Sequence, residues 1–592
     1  MTKSKTLTAQ DGQNIKILFT EDYGDIGDVL EKNRNIEDEN FFSPSLAGLH
    51  DPYLMPDMER AVARIMEARE RHERVVIFGD YDVDGVSSTA ILFRFFREIG
   101  IEVSYRLPHR VHDGYGLKSY FFDELASKNV KLVVTVDCGT RDIEPIRHAK
   151  SLGIDVIVTD HHAVPEVIPD EVIAIVNPKR KDSIYPFPNL AGAGVAFKLL
   201  HALVIAIENE KQKNGGSGDE IENILTRYID LASLGTVADC MPLIWENRII
   251  TALGLRQMKN SESSALRKYI VNLDKDIEWD ADVIGFGLGP RINAAGRMDS
   301  PLKALHWLLA DESRVDDWLE EVEWLNAKRQ EEVKKYTEDA LMNVNTTEPI
   351  LFYMHEHIEH GLIGLVAGKL TEAYGKPSIV LCHQHVPNTD EVKKREYEKE
   401  MWAEDTVEDP TFLVASCRSP EWCSLVELLD LSKDFFVRYG GHRQAAGFTI
   451  EAGKLSEFRK HITLEFEKKY DRENLPQKTM NIECALRTDH VSLDTLDSID
   501  RFRPFGIGNT KPLFLLENLT IRDVREIGTE KNHLSLTFEE IPNIKWLLWN
   551  YWDVFTTWAP HTWDIISPII SLERNIWNNK ESVQIMIKNI SL

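Results

Sequence analysis

Three short apolar runs that each end in acids or imidazoles constrain this chain more than any other feature. Val75-Val76-Ile77-Phe78 runs into Gly79-Asp80-Tyr81-Asp82-Val83-Asp84-Gly85, and Leu132-Val133-Val134-Thr135-Val136 runs into Asp137-Cys138-Gly139. Ile154-Asp155-Val156-Ile157-Val158-Thr159 runs into Asp160-His161-His162. Apolar runs bounded by polar sequence read as buried strands of a parallel sheet. In open α/β sheets, ligands bind beyond the carboxyl ends of the strands. Carboxylates and imidazoles gathered there are ligands for divalent metals.

Asp80, Asp82 and Asp84 alternate along the chain. In an extended segment all three point to one side, too close in charge to coexist without a cation; in a loop they can wrap an ion. A solvated acidic turn is the plain alternative. An EF-hand is disfavoured, because a strand precedes the motif and no glutamate stands at its twelfth position. Asp137 and the pair His161-His162, at neighbouring strand ends, turn the reading towards metal. Asp239, in Gly235-Thr236-Val237-Ala238-Asp239-Cys240, follows an apolar helical run and is placed to complete the set. These are more ligands than one ion needs. Two cations roughly 3.5–4 Å apart, sharing a carboxylate, use them all and activate a water for in-line attack on phosphorus. Oxygen-rich sites with one or two imidazoles favour Mn²⁺ or Mg²⁺ over zinc. The residues alone point to a two-metal phosphoesterase.

A chain of 592 residues needs three or four cores. Residues 1–73 form an N-terminal segment leading into the first domain, with a helix expected over Met58–Arg71. Helical patterns at Ser88–Ile99, Glu144–Leu152 and Val195–Ile207 alternate with the strands, the pattern of a doubly wound α/β domain over 74–310. Residues 213–218 form a flexible glycine-rich loop. Val315, Trp318, Val322 and Leu325 mark a long connecting helix within 311–345. A second α/β domain spans 346–475. Short β-type runs over 476–592, with six of the 13 tryptophans between Trp546 and Trp577, indicate a small β-barrel. The six cysteines include no CxxC pair, so neither a zinc cluster nor a disulfide framework is expected. No apolar leader and no run of 18 apolar residues is evident, so a cytoplasmic protein with no membrane partner is the expectation. The net charge of −27 argues against generic nucleic-acid binding but leaves room for a local basic groove. Part of that acid lies in residues 386–410, which read as a solvated insertion.

In this order the motifs resemble the DHH phosphoesterase superfamily, named for the Asp-His-His kept here as Asp160-His161-His162. Pro108-His109-Arg110 with Gly114-Tyr115-Gly116-Leu117, LAGAGVAFKL (190–199), GTVADCMPL with Asn247-Arg248, Gly289-Pro290-Arg291-Ile292-Asn293-Ala294-Ala295-Gly296-Arg297 and HGLIGLVAGKL (360–370) are similar to its RecJ branch of single-stranded-DNA exonucleases. Gly440-Gly441-His442 with Ala445-Ala446-Gly447-Phe448 resembles the glycine-rich motif of the associated DHHA1 domain. Pro504-Phe505-Gly506-Ile507-Gly508-Asn509 and Asn575-Ile576-Trp577 look like the branch's OB-type domain.

The resemblance implies an α/β parallel-sheet DHH domain, a long connecting helix, a second α/β DHHA1 domain and a C-terminal OB-type barrel. It implies that Asp82, Asp84, Asp137, His161 and Asp239 hold two Mn²⁺ or Mg²⁺ ions with Asp80 close by, while His162 faces the scissile phosphate. It further implies 5′ to 3′ degradation of single-stranded DNA, with the terminal 5′-phosphate held by Arg110, Ser416 and Arg418, joined by Arg291 or Arg297. Asn293 and the Gly440-Gly441-His442 turn belong to the implied substrate surface. A single-strand-binding protein and a helicase are the implied partners. Arginine forks and glycine-exposed N–H groups suit phosphate. The plainer readings are an ion pair for Arg297 and a simple turn for Gly440-Gly441; Tyr115 fits equally a base stack or a core plug. Two departures stand out: Cys138 replaces the family's usual asparagine, and Ser416-Cys417-Arg418 replaces a glycine-bearing loop. The rivals are a phosphodiesterase of short oligonucleotides, for which the barrel domain is superfluous, the same chemistry on RNA, which the sequence leaves open, and a non-catalytic replication scaffold, which has no need of the acids kept here.

Overall fold

In the computed structural model of the chain, the described residues are 5–9, 13–213, 220–273, 279–383, 412–471, 475–476, 479–551, 560–577 and 580–591. The insertion 386–410, most of the loop 213–218, and Trp552 and Trp558 lie outside them.

The chain begins with strands β1 (Lys5–Thr8) and β2 (Asn14–Phe19) and helix α1 (Ile26–Arg34). Helix α2 (Met58–Glu70) leads into β3 (Arg74–Gly79), α3 (Val83–Glu98), β4 (Val103–Arg106), α4 (Ser119–Ser127), β5 (Val130–Val136), α5 (Ile143–Ser151), β6 (Asp155–Thr159) and β7 (Ala174–Val176). These five strands form one parallel sheet in the order β4-β3-β5-β6-β7. The side chains of β3, β5, β6 and β7 are mostly apolar and buried because helices cover both faces, while those of the edge strand β4 are only partly covered. The chain leaves β3 for β4 on one side and returns to β5 on the other, so strand order reverses between β3 and β5. Such a reversal opens a crevice at the carboxyl ends of the two strands.

Helices α6 (Gly192–Lys213), α7 (Ile221–Ala238), α8 (Trp245–Met258), α9 (Ser264–Val271), α10 (Gly289–Met298) and α11 (Pro301–Leu309) complete this unit. By length and composition α6 is apolar enough to cross a membrane. Most of it is buried in the core, which explains its apolarity without a bilayer. Helix α12 (Val315–Asn343) runs 29 residues, about 44 Å at 1.5 Å per residue. Its Val315, Val322 and Leu325 pack on the first core, and Tyr336 and Ala340 on the next.

The second unit has β8 (Leu351–Met354), α13 (Ile363–Tyr374), β9 (Ser378–His383), β10 (Phe412–Arg418), β11 (Phe436–Gly441) and β12 (Ala445–Glu451). Its sheet order is β11-β12-β10-β9-β8, parallel only between β8 and β9.

The third sheet is where the fold departs from the expected division of the chain. Strand β13 (Thr479–Ala485) pairs in parallel with β2, so residues at opposite ends of the sequence share one sheet. Phe19, Ile26, Leu30 and Phe41 are buried with Leu496, Phe502 and Phe514. The segment up to Phe41 thus belongs with the C-terminal unit instead of leading into the first; α2 is the element that joins the first core. Beyond β13 come β14 (Phe514–Leu515), β15 (Leu519–Ile527), β16 (His533–Phe538), β17 (Trp546–Leu548), β18 (Ile565–Trp577) and β19 (Lys580–Ser591). Ladders β15–β16, β16–β17, β17–β19, β19–β18 and β18–β15 form a closed circuit of five strands. The N-terminal pair, β13 and β14 extend this sheet to nine.

This unit grips the first through Arg248. Its Nε donates to Phe41 O at 2.7 Å, and its Nη1 and Nη2 to Phe502 O at 3.0 Å and Arg503 O at 2.6 Å. Leu243 N donates to Ile507 O at 2.7 Å. The docking loop begins immediately after Asp239.

Candidate metal centre and phosphate pocket

The crevice between β3 and β5 collects the acids and imidazoles. Asp80 follows β3 and is buried. Asp82 is the N-cap of α3, accepting from Gly85 N at 3.1 Å, and Asp84 lies in that helix's first turn. The triplet is therefore neither an extended strand nor a wrapping loop: strand end, cap and first turn each aim one carboxylate into the crevice. Asp84 also accepts from Gly192 N at 2.6 Å and Ala193 N at 2.7 Å, the first turn of α6, an arrangement that favours the anion. The fit leaves no room at Gly235, where a Cβ would lie 2.2 Å from Asp84 Oδ1. Asp137 ends β5 in a left-handed conformation, φ 61°, and Asp239 caps the C-terminus of α7.

His161 sits at the centre. Its Nε2 lies 3.1 Å from Asp137 Oδ1, 3.5 Å from Asp239 Oδ2 and 3.7 Å from Asp84 Oδ2. Ligand atoms of Asp84, His161 and Asp239 lie within 4.8 Å of one another; so do those of Asp80, Asp82 and Asp137, and of Asp137, His161 and His162. Asp137 and His161 each belong to two sets, the overlap a shared pair of ions needs.

The electrostatics are those of a site built for cations. Burial, then repulsion by neighbouring carboxylates, holds Asp80, Asp84 and Asp137 well above the usual range. Burial and Asp82 push Asp239 up to about 7. Burial and His162 push His161 down to about 3, leaving a neutral imidazole able to ligate. Asp80 Oδ1 is buried without a hydrogen-bond partner. An unpaired buried carboxylate oxygen is costly unless a cation takes it. The donor set fits two hard divalent ions.

Asp160 plays a different part. It accepts from Thr140 N at 3.0 Å, His161 N at 2.8 Å, His162 N at 3.1 Å and the His162 ring Nδ1 at 2.8 Å. Against the effect of burial, these bonds hold its carboxyl below the usual range. Its work is to shape the turn that presents both histidines. Asn177, fully buried just after β7, donates to Thr140 Oγ1 at 3.2 Å and His162 O at 3.0 Å. The sequence reading counted Asp160 among the strand-end acids taken as metal ligands, whereas these bonds make it a support of the turn; it assigned Asn177 no role, because that residue acts on a hydroxyl and on backbone and lies in no recognisable ligand pattern. Tyr115 is 42% exposed and places its hydroxyl 3.2 Å from His162 Nδ1. It is a wall of the site, and a core plug is ruled out. Cys138 is buried, its Sγ 3.8 Å from Phe78 O, behind the ligands.

Next to this centre lies a cluster of arginines. Arg110 stacks on Tyr81, between Asp80 and Asp82, with Cζ 3.9 Å from the ring centroid, and its Nε is buried without a partner. Arg297 donates to Gly361 O at 3.0 Å, and Arg418 Nη1 to Ser416 Oγ at 3.2 Å and Cys417 O at 2.8 Å. Among the described residues no carboxylate forms an ion pair with Arg110, Arg297 or Arg418. Burial, then repulsion by Arg110, Arg329 and Arg418, brings Arg297 down to about 9. Burial, then Arg110 and Arg438, brings His360 down to about 4. Cations crowded without acids await an anion. Arg291 differs: its Nε is paired with Glu323 at 2.7 Å and its guanidinium lies over Tyr269. Arg329, on α12, stands in the cluster instead; a pattern that reads that helix as a connector hides it. Asn293 Oδ1 is buried and unpartnered on α10.

Across the cleft, Gly440 and Gly441 end β11, and His442 N donates to Ala445 O at 2.7 Å. A Cβ at Gly441 would lie 2.4 Å from Ala445 O, so only glycine allows this approach of the two strands. Burial, then His162, Arg141 and Lys179, lowers the pKa of His442, which is therefore within electrostatic reach of the histidine turn.

Residues 74–236 match the model of the DHH family, N-terminal domain, and 482–589 that of the RecJ OB domain. The chain is 32% identical to the single-stranded-DNA-specific exonuclease RecJ of Bacillus subtilis, over 92% of its own length and 65% of that protein. It is 30% identical to the RecJ of Haemophilus influenzae over 86% of each. The Thermus thermophilus RecJ structure with Mn²⁺ superposes with a TM-score of 0.77 at 25% identity, covering 95% of this chain and 75% of that one.

Proposed function

This chain belongs to the family of RecJ single-stranded-DNA-specific exonucleases, and from that membership we propose that it is a divalent-metal-dependent enzyme that degrades single-stranded DNA from its 5′ end. Its products are mononucleotides, and its setting is recombination and repair in the cytoplasm. The observation that carries the reading is that the acid–histidine centre lies beside an arginine cluster whose Arg110, Arg297 and Arg418 have no ion-pair partner among the described residues, the two joined by Tyr81 and Arg110. A 5′-terminal phosphate held by Arg110, Ser416, Arg418 and Arg297 leaves the next phosphodiester beside the acids.

Asp80, Asp82, Asp84, Asp137, His161 and Asp239 would hold two ions, Mn²⁺ or Mg²⁺. When bound, they neutralise phosphate charge and make a water acidic enough to attack. The chain's own groups orient the substrate. Asp160 fixes the His162 ring through Nδ1 and, against the effect of burial, raises its pKa, so that as the imidazolium it directs an Nε2–H outward to donate to a phosphate oxygen. Tyr115 offers its exposed ring to the terminal base. Gly440, Gly441 and His442 close the cleft from the second unit, and the third unit adds a surface for the rest of the strand. A single-strand-binding protein and a helicase are the partners such an enzyme would use.

Single strands labelled at the 5′ or 3′ end, DNA beside RNA, incubated with Mn²⁺ or EDTA, test the reading. Early release of the 5′ label from DNA, abolished by EDTA, is expected. Early release of the 3′ label would overturn the polarity, and faster cleavage of RNA would overturn the substrate.

A further inference from the structure

Lys179 lies at the neighbouring strand end of the same sheet and has no part in the account so far. It follows β7, the next strand end after the histidine pair. Asp160 N donates to Val176 O at 3.1 Å, which ties that end to the histidine turn. Asn177 Oδ1 accepts from Lys179 N at 2.9 Å while its amide holds Thr140 and the His162 carbonyl. One buried amide thus sets both the lysine backbone and the turn that carries His162. Next in the chain, Arg180 is anchored to Asp57 and to Ile175 O at 2.8 Å. Lys179 is therefore held at both flanks, yet among the described residues its ammonium has no hydrogen-bond or ion-pair partner. Its charged neighbours place it: burial lowers its pKa against the pull of Asp239 and Asp160, and it acts in turn on His161 and His442. Lys179 thus stands at the strand end beside the histidine turn, within electrostatic reach of Asp239, Asp160, His161 and His442.

Charge makes a cation useful at that point. The five carboxylates assigned as ligands outweigh two divalent ions by one charge, so the loaded centre still repels a phosphodiester. The arginine cluster serves the terminal phosphate and is not available to the scissile one. Resting on the function proposed above, we propose that Lys179 is a catalytic residue that donates to a non-bridging oxygen of the scissile phosphate and stabilises the charge that builds there. No proton is transferred in this role.

The test uses the full chain with Lys179→Met, Lys179→Gln and Lys179→Arg. Circular dichroism and thermal melting confirm folding; the second neutral variant covers a failure of the first. Three readouts are taken: kcat and KM on 5′-phosphorylated single-stranded DNA at saturating Mn²⁺, Mn²⁺ affinity by calorimetry, and the salt dependence of oligonucleotide binding in EDTA. For the neutral variants, kcat is expected to fall by about 100- to 1000-fold, as for other lost transition-state donors. The slope of log affinity against log salt is expected to flatten by about 0.7, the loss of one phosphate contact. Mn²⁺ binding is expected to be unchanged or tighter, since a repelling charge has gone. Arginine should restore most of the activity. Unchanged turnover and slope would overturn the proposal, as would weaker Mn²⁺ binding, which would make Lys179 a support of the ligand set. A wild-type chain that does not hydrolyse single-stranded DNA would instead overturn the function itself.

Discussion

Asp160 shapes the histidine turn from behind, and its substitution separates that job from ligation. Asp160→Asn keeps the size of the side chain but removes the charge that orients His162 Nδ1–H. Turnover should fall by about 10- to 100-fold, the usual cost of losing such a supporting partner, with the far-ultraviolet spectrum unchanged; wild-type kinetics would show that the orientation is dispensable. The metal site carries its own pH signature. Asp239, at about 7 in the metal-free protein against 3.8 ordinarily, holds a proton in the folded state that the unfolded state has lost across that window. Metal-free stability therefore falls as pH rises from about 4 to about 7. Mn²⁺ needs the deprotonated carboxylates, so its affinity rises over the same window, by at least about tenfold per pH unit, since Asp80, Asp84 and Asp137 also hold protons that the ions displace. Calorimetric titrations at pH 5.5, 6.5 and 7.5 measure this; a flat series would remove Asp239 from the ligand set. The aspartates at strand ends were legible in sequence because strand pattern and chemistry coincide there. Asn177 and Lys179 were not, since their placement is decided by backbone hydrogen bonds between strands. Arg291 looked like a phosphate ligand because nothing in its own segment announces Glu323.

At the level of elements, the turn between β11 and β12 brings the second unit to the metal centre, and its geometry depends on Gly441. Gly441→Val would force a Cβ to within 2.4 Å of Ala445 O, so the strands must separate and His442 must move. Activity is expected to fall at least about tenfold while Mn²⁺ affinity stays as in the wild type, because every assigned ligand lies in the first unit; a loss of Mn²⁺ binding in the same assay would contradict that separation. The periodicity of α12 was readable as a helix. Its second use, presenting Arg329 to the arginine cluster, was not, because a lone arginine on an amphipathic helix looks like solvated surface. The start of α3 was read too late by several residues for a related reason: Asp82 was weighed as a metal ligand, and its capping bond to Gly85 N is what begins the helix there.

The whole molecule is closed by a contact between the two ends of the sequence. Strand β2 alternates in the expected way, but its partner β13 lies at the far end, and no local pattern announces a pairing of that range. Arg248, in the first turn of α8, fastens the unit they form to the first one. Arg248→Ala removes the donor to Phe41 O and Arg503 O and one of the two donors to Phe502 O, and should cost about 2–4 kcal/mol, visible as a melting temperature lower by several degrees. A change below one degree would mean that this grip is not what holds the units together. The central claim is that one crevice both binds two ions and hydrolyses single-stranded DNA, and its most direct test is mononucleotide release from a 5′-phosphorylated single strand in saturating Mn²⁺ by the wild type, Asp84→Ala and His161→Ala, all shown to be folded. Release by the wild type with a loss of about a thousandfold or more in both variants is the expected result; full activity in either variant would contradict it.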